Sequence, residues 1–191
     1  MRFYEDWLIQ TKILQVSKTK ELVNQWIKNL PRTDLKKLST RGRNSRQYNL
    51  KNIFKQEQSF QFILENCIQK ITEEFEKRNG DNPSLSLNNA WTVIGHVNSF
   101  HAVHRHKNNP ENTISTVMYL SAPPKDLNDP KLMDRGEFYY FINNKDNRLL
   151  FNSVYPRTND FFIFPCWIWH GTYPQIKGIR QTLNIDFNVH R

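Results

Sequence analysis

The chain has 191 residues, with 27 lysines and arginines against 18 aspartates and glutamates, and only two cysteines. This length suffices for one domain with a substantial hydrophobic core, so we expect residues 1–191 to form a single domain. Cys67 and Cys166 are too few for a disulfide scaffold and lack Cys-x-x-Cys spacing. No run approaches the roughly 18 apolar residues of a membrane span, and no signal-peptide pattern opens the chain. We therefore expect a cytoplasmic protein without a membrane partner.

The net charge of +9 is concentrated near the start of the chain. Residues 1–56 carry thirteen lysines and arginines against four acidic residues, whereas residues 57–191 carry fourteen of each. The basic segment, residues 36–55, holds seven cations and no acid, with Tyr48 and Phe54 between them. Basic stretches with aromatic residues can bind nucleic acid, but such a run is more often a solvated surface. The sequence therefore allows a nucleic-acid partner without favouring one.

The N-terminal part of the chain predicts helices joined by a polar connection. Residues 7–16 are rich in β-forming residues, and Ser17 can cap a short helix that extends through Leu30. Residues 31–56 are polar and predict an irregular connection. We interpret residues 1–90 as an N-terminal helical support with this basic connection.

The clearest helix lies between Phe60 and Phe75, where seven apolar residues recur at intervals of three and four. Gly80, followed closely by Pro83, is typical of a helix end. The apolar stripe predicts packing against a core, so we assign it no role in function.

From residue 90 the pattern changes to short runs of β-forming residues divided by Asn, Asp, Gly and Pro. The predicted strands lie at residues 90–93, 113–120, 137–142, 149–155, 161–164 and 182–189. Such a series after two helices predicts an α+β, mainly β fold, as a β-sandwich or jelly roll with the helices packed on one face. In the last strand apolar and polar residues alternate, and the polar face, which begins at Arg180, lines either solvent or a polar interior.

Histidines are the most informative feature of the chain. Four of its six histidines lie between His96 and His106, and His170 follows 64 positions later. On an extended strand His104 and His106 project to the same side, so the two can hold one ion while His170 completes the coordination. Imidazole suits iron, zinc, copper and nickel, so the cluster alone does not identify the metal. We assign no role to His96 or His101.

The segment from Trp91 to Arg191 resembles the Fe(II)/2-oxoglutarate-dependent oxygenases. It is similar to their prolyl-4-hydroxylase-like branch and, within it, to a group of small bacterial and phage proteins with a His-x-His motif. The residues that carry the resemblance, in the order of the family, are His104-Arg105-His106, Ser115-Thr116-Val117-Met118-Tyr119-Leu120, Phe164-Pro165-Cys166-Trp167-Ile168-Trp169-His170 and Arg180-Gln181-Thr182. The resemblance implies that residues 91–191 form a catalytic core with a double-stranded β-helix, which is a cupin-like jelly roll.

The resemblance also implies a site for Fe(II), 2-oxoglutarate and O₂. His104 and His170 match the iron-binding histidines of the family, with open positions on the ion for a bidentate 2-oxo acid and for O₂. Arg180, ten residues after His170, matches the arginine that binds the distal carboxylate of 2-oxoglutarate. A planar guanidinium can hold a carboxylate through two parallel hydrogen bonds, and the hydroxyls of Thr182 and Tyr119 can add donors.

The chain departs from the general family pattern at the second ligand. That pattern is His-x-Asp or His-x-Glu followed by a distant histidine, whereas this chain has His106 at the second position. Three arrangements are consistent with the sequence: His106 coordinates as a third imidazole, a carboxylate such as Glu137 or Asp186 completes the site, or water or an anion fills the position. We favour His106 as the third ligand, beside His104 and His170.

The expected activity is that of a dioxygenase that hydroxylates an unidentified substrate and releases succinate and CO₂. One alternative is a three-histidine, cupin-like dioxygenase that works without 2-oxoglutarate, and Arg180 with Thr182 argues against it. Another is a non-catalytic binding module that uses the basic N-terminal third, and the combination of His104, His170 and Arg180 argues against that. Members of this superfamily oxidise many kinds of substrate, and the fold does not choose among them. The sequence names neither the substrate nor the oligomeric state.

Overall fold

A computed structural model describes residues 6–29, 45–80, 82–106, 112–123, 136–144 and 146–190. The helices of these residues are α1 (Val16–Asn29), α2 (Lys51–Gln56) and α3 (Gln58–Asn79). The strands are β1 (Ile9–Lys12), β2 (Ser45–Asn49), β3 (Ser84–Gly95), β4 (His101–His104), β5 (Thr113–Ser121), β6 (Phe138–Asn143), β7 (Leu149–Val154), β8 (Asp160–Pro165), β9 (Trp169–Thr172) and β10 (Arg180–His190).

The strands form two antiparallel sheets that enclose the interior of a jelly roll. The larger sheet has the order β1-β8-β5-β10-β3-β2, and the smaller sheet has the order β4-β9-β6-β7. The helices cover the outer face of the larger sheet, where their apolar side chains and those of the sheet form one continuous core. A second, smaller cluster lies between the sheets around Phe138, Phe162 and Phe164. The mainly β, double-stranded β-helix fold with helices on one face is therefore confirmed.

Helix α3 packs against the core through the apolar stripe that the sequence predicts. Phe60, Ile63, Cys67 and Ile71 are all at most 3% exposed and pack in the core beneath the larger sheet. The helix ends at Gly80, whose φ of 71° is left-handed and whose N–H donates to the carbonyl of Glu76. Glycine adopts that conformation without the steric penalty of a side chain, so this residue stops the helix.

Strand β10 lies in the centre of the larger sheet, between β3 and β5. Its apolar residues, Leu183 among them, pack toward the helices. Its polar residues Arg180, Thr182, Asn184 and Asp186 alternate with these and are nevertheless buried. Of the two predicted alternatives for this face, the polar interior is the one that the structure contains.

The prediction of an irregular connection over residues 31–56 is wrong for residues 45–56, which form β2 and α2. Tyr48, Leu50 and Phe54 are each at most 5% exposed. Their burial against the sheet and α3 favours regular structure in a segment whose other residues are polar. Residues 36–44 of the basic segment lie outside the described residues.

The two short strands β4 and β9 are absent from the predicted series. The first ninety residues also contribute more than helices, since β1, β2 and the start of β3 belong to the larger sheet. Single-domain organisation stays a prediction. Within the described ranges no helix is both long enough and apolar enough to cross a membrane.

Candidate functional site

A cavity between the two sheets brings the sequence-predicted site residues together. It encloses about 480 Å³ of space, part of it open to solvent. Its walls include His104, His106, His170, Tyr119, Arg180 and Thr182, together with Trp91, Phe100, Phe138 and Asn184. The cavity is therefore the candidate functional site.

Three histidines converge at one end of the cavity. His104 on β4 and His170 on β9 are direct cross-strand partners, and their ring centroids are 4.4 Å apart. His106 follows β4, and its ring lies 5.1 Å from that of His170. One ligand nitrogen of each residue lies within 4.8 Å of those of the other two. These three side chains could therefore hold a metal ion.

The two strand histidines are held in the orientation that metal binding needs. Nδ1 of His104 lies 2.9 Å from the carbonyl oxygen of Ala102, and Nδ1 of His170 lies 2.9 Å from that of Ile168. A carbonyl oxygen can only accept, so in each ring Nδ1 carries the proton. Nε2 of each ring is then the nitrogen with the lone pair that can bind a metal.

His106 is held by contacts from several elements. Its main-chain N–H donates to the carbonyl of Cys166, and Trp91 packs edge-on against its ring at 5.1 Å. Its Nδ1 lies 2.8 Å from Oδ1 of Asp186 on β10 and 2.7 Å from Oγ of Ser115 on β5. A carboxylate oxygen accepts, so Nδ1–H donates to Asp186, and the lone pair of Nε2 can bind a metal.

Burial keeps His170 in the form that binds metals. The pKa of His170 is held well below its ordinary value, mainly because the ring is buried and secondarily because His104 and His106 lie beside it. The imidazole is therefore neutral at physiological pH, which is the form that coordinates metals.

The opposite end of the cavity contains a buried cation. Arg180 is only 5% exposed, and its guanidinium donates to the carbonyls of Tyr173 and Ser99 over long distances of 3.4 and 3.5 Å. Within the described part of the chain no carboxylate forms an ion pair with it. Burial lowers the pKa of Arg180 from its ordinary value. A charge buried in this way is costly unless an anion joins it.

Two hydroxyl groups lie near this guanidinium. Tyr119 is fully buried on β5, and its hydroxyl has no hydrogen-bond partner among the described residues. Burial raises the pKa of Tyr119, so the side chain is a neutral phenol that can donate. Thr182 is its cross-strand partner on β10 and accepts a hydrogen bond of 3.1 Å from Nδ2 of Asn184. With that bond in place, the proton of Thr182 is available to another acceptor. Together with Arg180, the two hydroxyls can bind a carboxylate.

A buried network that sequence reasoning missed positions the loops around Arg180. Nε2 of Gln175 donates to the carbonyls of Gly95 and Gly178, at 3.2 and 2.9 Å, and its Oε1 accepts from Oγ of Ser99 at 3.2 Å. The main-chain N–H of Gln175 also donates to the carbonyl of Ser99. This network ties the turn before β4 to the loop before β10. No sequence signal distinguishes Gln175 from the other polar residues of these loops.

Gly171 lies next to His170 and is fixed by lack of space. A Cβ atom there would approach the hydroxyl of Tyr139 to 2.4 Å and the carbonyl oxygen of His101 to 2.7 Å. Both distances are far below van der Waals contact. The tight packing of β9 against its neighbours therefore requires a residue without a side chain directly beside His170.

The sequence of this chain matches the model of a known protein family. Residues 89–188 match the model of a 2OG-Fe(II) oxygenase family, in which 2OG is 2-oxoglutarate. The matched region spans half of the chain and contains all six predicted site residues. The chain belongs to the 2OG-Fe(II) oxygenase family. A sequence comparison with curated proteins finds no match.

Solved structures of 2OG-Fe(II) oxygenases share the fold. A prolyl-4-hydroxylase from Pseudomonas putida has a TM-score of 0.61 and 14% identity, over 96% of this chain and 92% of that chain. HygX from Streptomyces hygroscopicus, with nickel and 2-oxoglutarate bound, has a TM-score of 0.66 and 12% identity, over 97% and 84%. The viral collagen prolyl hydroxylase from Paramecium bursaria Chlorella virus-1, a 2-oxoglutarate complex, has a TM-score of 0.59 and 13% identity, over 96% and 97%.

The cavity fits the cofactors that 2OG-Fe(II) oxygenases use, which are Fe(II), 2-oxoglutarate and O₂. At the histidine end three imidazoles present nitrogen ligands, which suit iron. At the other end the unpartnered hydroxyl of Tyr119 and the buried Arg180 match the charge and donor requirements of a carboxylate. The prolyl-4-hydroxylase-like resemblance is therefore confirmed for both the fold and the cofactors.

The structure also locates the other residues that the sequence singled out. Asp186 contacts Nδ1 of His106, and Glu137 is absent from the cavity walls, so neither carboxylate belongs to the three-residue cluster. His101 lies in the cavity wall with its ring 4.6 Å from that of His104, whereas His96 is exposed outside it. In the described part of the basic segment Ser45 reaches the cavity wall and Arg46 is exposed.

Proposed function

We propose that this chain is a Fe(II)- and 2-oxoglutarate-dependent dioxygenase that hydroxylates an unidentified substrate and releases succinate and CO₂. The observation that carries the proposal is the polarity of one cavity. A cluster of three histidines lies at one end, and a buried guanidinium with an unpartnered phenol lies at the other. 2-Oxoglutarate has the matching polarity, because its 2-oxo acid group can chelate a metal while its distal carboxylate carries a separate charge.

Each residue of the cavity then has a defined task. His104, His106 and His170 hold Fe(II) through Nε2. Arg180 binds the distal carboxylate through its planar guanidinium, and Thr182 and Tyr119 add hydroxyl donors to the same carboxylate. When bound, Fe(II) and 2-oxoglutarate supply the oxidising chemistry with O₂, in which decarboxylation of the 2-oxo acid is coupled to oxidation of a substrate C–H bond.

Aromatic side chains support this chemistry by excluding water. Phe138 and Phe164 pack against the ring of His170, with centroids 5.7 and 4.8 Å away, and Trp91 covers one edge of His106. These contacts restrict the rotation of both imidazoles. They also exclude water from the histidine end of the cavity.

The same observation argues against the two alternative functions. A three-histidine dioxygenase that works without 2-oxoglutarate has no anion to compensate the buried guanidinium of Arg180. A non-catalytic basic module has no use for three imidazoles that converge in one cavity. The proposed dioxygenase uses both ends of the cavity.

The test is an anaerobic titration of metal-free protein with Fe(II), with 2-oxoglutarate, and with both. We expect one Fe(II) per chain, measurable 2-oxoglutarate binding only when metal is present, and the weak visible absorption band of an Fe(II)–2-oxo acid complex. Admission of O₂ should then yield succinate. Metal binding without any response to 2-oxoglutarate would favour the three-histidine alternative, and Arg180→Ala is the matched control for the 2-oxoglutarate response.

A further inference from the structure

The three cavity histidines differ in what supports them. Nδ1 of His104 and of His170 each donates to a main-chain carbonyl of the same chain segment, two residues earlier. Nδ1 of His106 donates instead to the carboxylate of Asp186, 80 residues away on β10. Of these three Nδ1 hydrogen bonds, the one from His106 ends on a carboxylate and the other two end on main-chain carbonyls. The position that departs from the general family pattern is therefore the position with a negative charge behind it.

Asp186 is built into the structure at this place. It is 2% exposed on the central strand of the larger sheet and is the cross-strand partner of Ser115. A buried carboxylate is costly unless hydrogen bonds or positive charge compensate it. The His106 ring supplies a hydrogen bond, and a divalent cation at Nε2, on the far side of that ring, would supply positive charge.

We propose that Asp186 supplies, through His106, the negative charge that a coordinating carboxylate provides in a two-histidine, one-carboxylate iron site. Asp186 is a positioning residue, since it acts on the metal only through the imidazole. Its hydrogen bond makes the His106 ring a more basic ligand and fixes the ring's direction. This role rests on the proposed function, because it takes His106 as a metal ligand.

The chain offers a matched neutral contact for comparison. Oγ of Ser115 lies 2.7 Å from the same Nδ1 atom, yet a hydroxyl carries no net charge. Ser115→Ala removes a neutral contact with His106, whereas Asp186→Asn removes the charge and keeps the size of the side chain. If charge is what matters, the second substitution should have the larger effect on metal binding.

The experiment is a double-mutant cycle read by Co(II) affinity, measured by titration calorimetry on metal-free protein without 2-oxoglutarate. In the wild-type background we expect Asp186→Asn to weaken Co(II) binding about 10- to 100-fold, the usual cost of losing a residue that supports a metal ligand. Ser115→Ala should cost less than Asp186→Asn. In the His106→Asp background the ligand itself carries the charge, so Asp186→Asn removes a like-charged neighbour and should leave binding equal or tighter.

Unchanged Co(II) affinity in Asp186→Asn would overturn the role, and so would an equal loss in both backgrounds, which would mean that Asp186 only maintains the fold. Thermal unfolding of the metal-free variants monitors folding. Should Asp186→Asn not fold, the comparison of His106→Asp with the double variant decides, since weaker binding by the double variant contradicts charge supply. Normal behaviour in the Co(II) cycle without succinate formation would remove the proposed function and leave the role of Asp186 intact.

Discussion

The two ends of the cavity differ in how completely the protein satisfies its own polar groups. At the histidine end each imidazole has an acceptor for its Nδ1 proton, and the rings are fixed by packing. At the opposite end Tyr119 has no partner among the described residues, and the bonds of Arg180 to carbonyls are long. The histidine end, the proposed metal end, is therefore preorganised within the chain. The Arg180 end, the proposed carboxylate end, gains its full set of hydrogen bonds only if a ligand binds there.

Because of this difference, we expect substitutions at the two ends to affect metal binding and 2-oxoglutarate binding differently. Preorganised ligands bind metal whether or not 2-oxoglutarate is present. The carboxylate end gains hydrogen bonds only when the co-substrate arrives, and that co-substrate also needs the metal for chelation. Damage to the metal end should abolish both kinds of binding, and damage to the carboxylate end should abolish one.

The largest effect is expected at the metal end, from His170→Ala. This change removes a ligand, so metal affinity should fall by more than the roughly 10- to 100-fold that loss of a supporting residue costs. Binding of 2-oxoglutarate should be lost with it, and both are measured by anaerobic calorimetry. His96→Ala, at an exposed histidine outside the cavity, is the control and should bind metal normally. Retained metal binding in His170→Ala would contradict the role of His170 as a metal ligand.

His106→Ala tests a second proposed ligand in the same way. We expect strongly weakened metal binding in a protein that still folds, as judged by thermal unfolding. Unchanged metal affinity would remove His106 from the site and make the carboxylate of Asp186 the next candidate.

At the carboxylate end Arg180→Ala should leave metal affinity unchanged while 2-oxoglutarate binding falls. A hydrogen bond with a charged group contributes about 1.5–3 kcal/mol, so the loss should be roughly one to two powers of ten. Arg180→Lys should recover only part of it, because an ammonium is a point charge and not a planar fork. Arg148→Ala, at an exposed arginine, is the matched control. Equal affinity for 2-oxoglutarate in wild type and Arg180→Ala would contradict the assignment of this end.

Tyr119→Phe should lower the affinity for 2-oxoglutarate by less than Arg180→Ala does. The same substitution should raise the stability of the ligand-free protein. Loss of one neutral donor contributes about 0.5–1.5 kcal/mol, so 2-oxoglutarate affinity should fall roughly 2- to 12-fold. In ligand-free protein the same change removes a buried, unpartnered hydroxyl, so the melting temperature should rise by about 2–4 °C per kcal/mol relieved. Tyr155→Phe is the control, because its hydroxyl donates to the carbonyl of Pro123 and its loss should lower stability. A destabilised Tyr119→Phe would show that the hydroxyl is already satisfied without ligand.

The smallest effect is expected outside the cavity, in the basic segment. We predict that Arg41→Gln, Arg43→Gln and Arg46→Gln together leave 2-oxoglutarate turnover unchanged. Nucleic acid should bind the wild type only weakly, and this binding should be lost near physiological salt. The affinity for nucleic acid falls as the salt concentration rises, with a log–log slope of about −0.7 to −0.9 per neutralised phosphate. Tight binding that survives about 0.15 M salt and disappears in the triple variant would make nucleic acid the leading substrate candidate.

Elements with strong local patterns were predictable from the sequence. The three- and four-residue spacing of α3 and the alternation along β10 are properties of consecutive residues, and both elements have the expected faces. Strands β4 and β9 were missed because each has four residues, and histidine and glycine occupy positions where β-forming residues would be expected. The regular structure of residues 45–56 was missed because only a few apolar residues in this polar segment are buried.

The cavity was predictable only in part. The placement of His104, His170 and Arg180 together follows from a family resemblance, and local patterns alone do not contain it. The contact of Asp186 with His106 depends on the register of β10 against β5 and on the chain path after β4. The network of Gln175 likewise joins loops that are far apart in sequence. Such contacts are set by tertiary packing, so single-residue signals cannot specify them.

Strand β9 places three neighbouring positions under three kinds of selection. Trp169 points outward and is 44% exposed, so many substitutions there should be tolerated. His170 is constrained by chemistry, since only a nitrogen ligand preserves its role. Gly171 is constrained by space alone, because the contacts with Tyr139 and His101 leave no room for a methyl group. Natural variation along this strand should therefore be broad at the first position and nearly absent at the next two, and the glycine should be retained because of its packing.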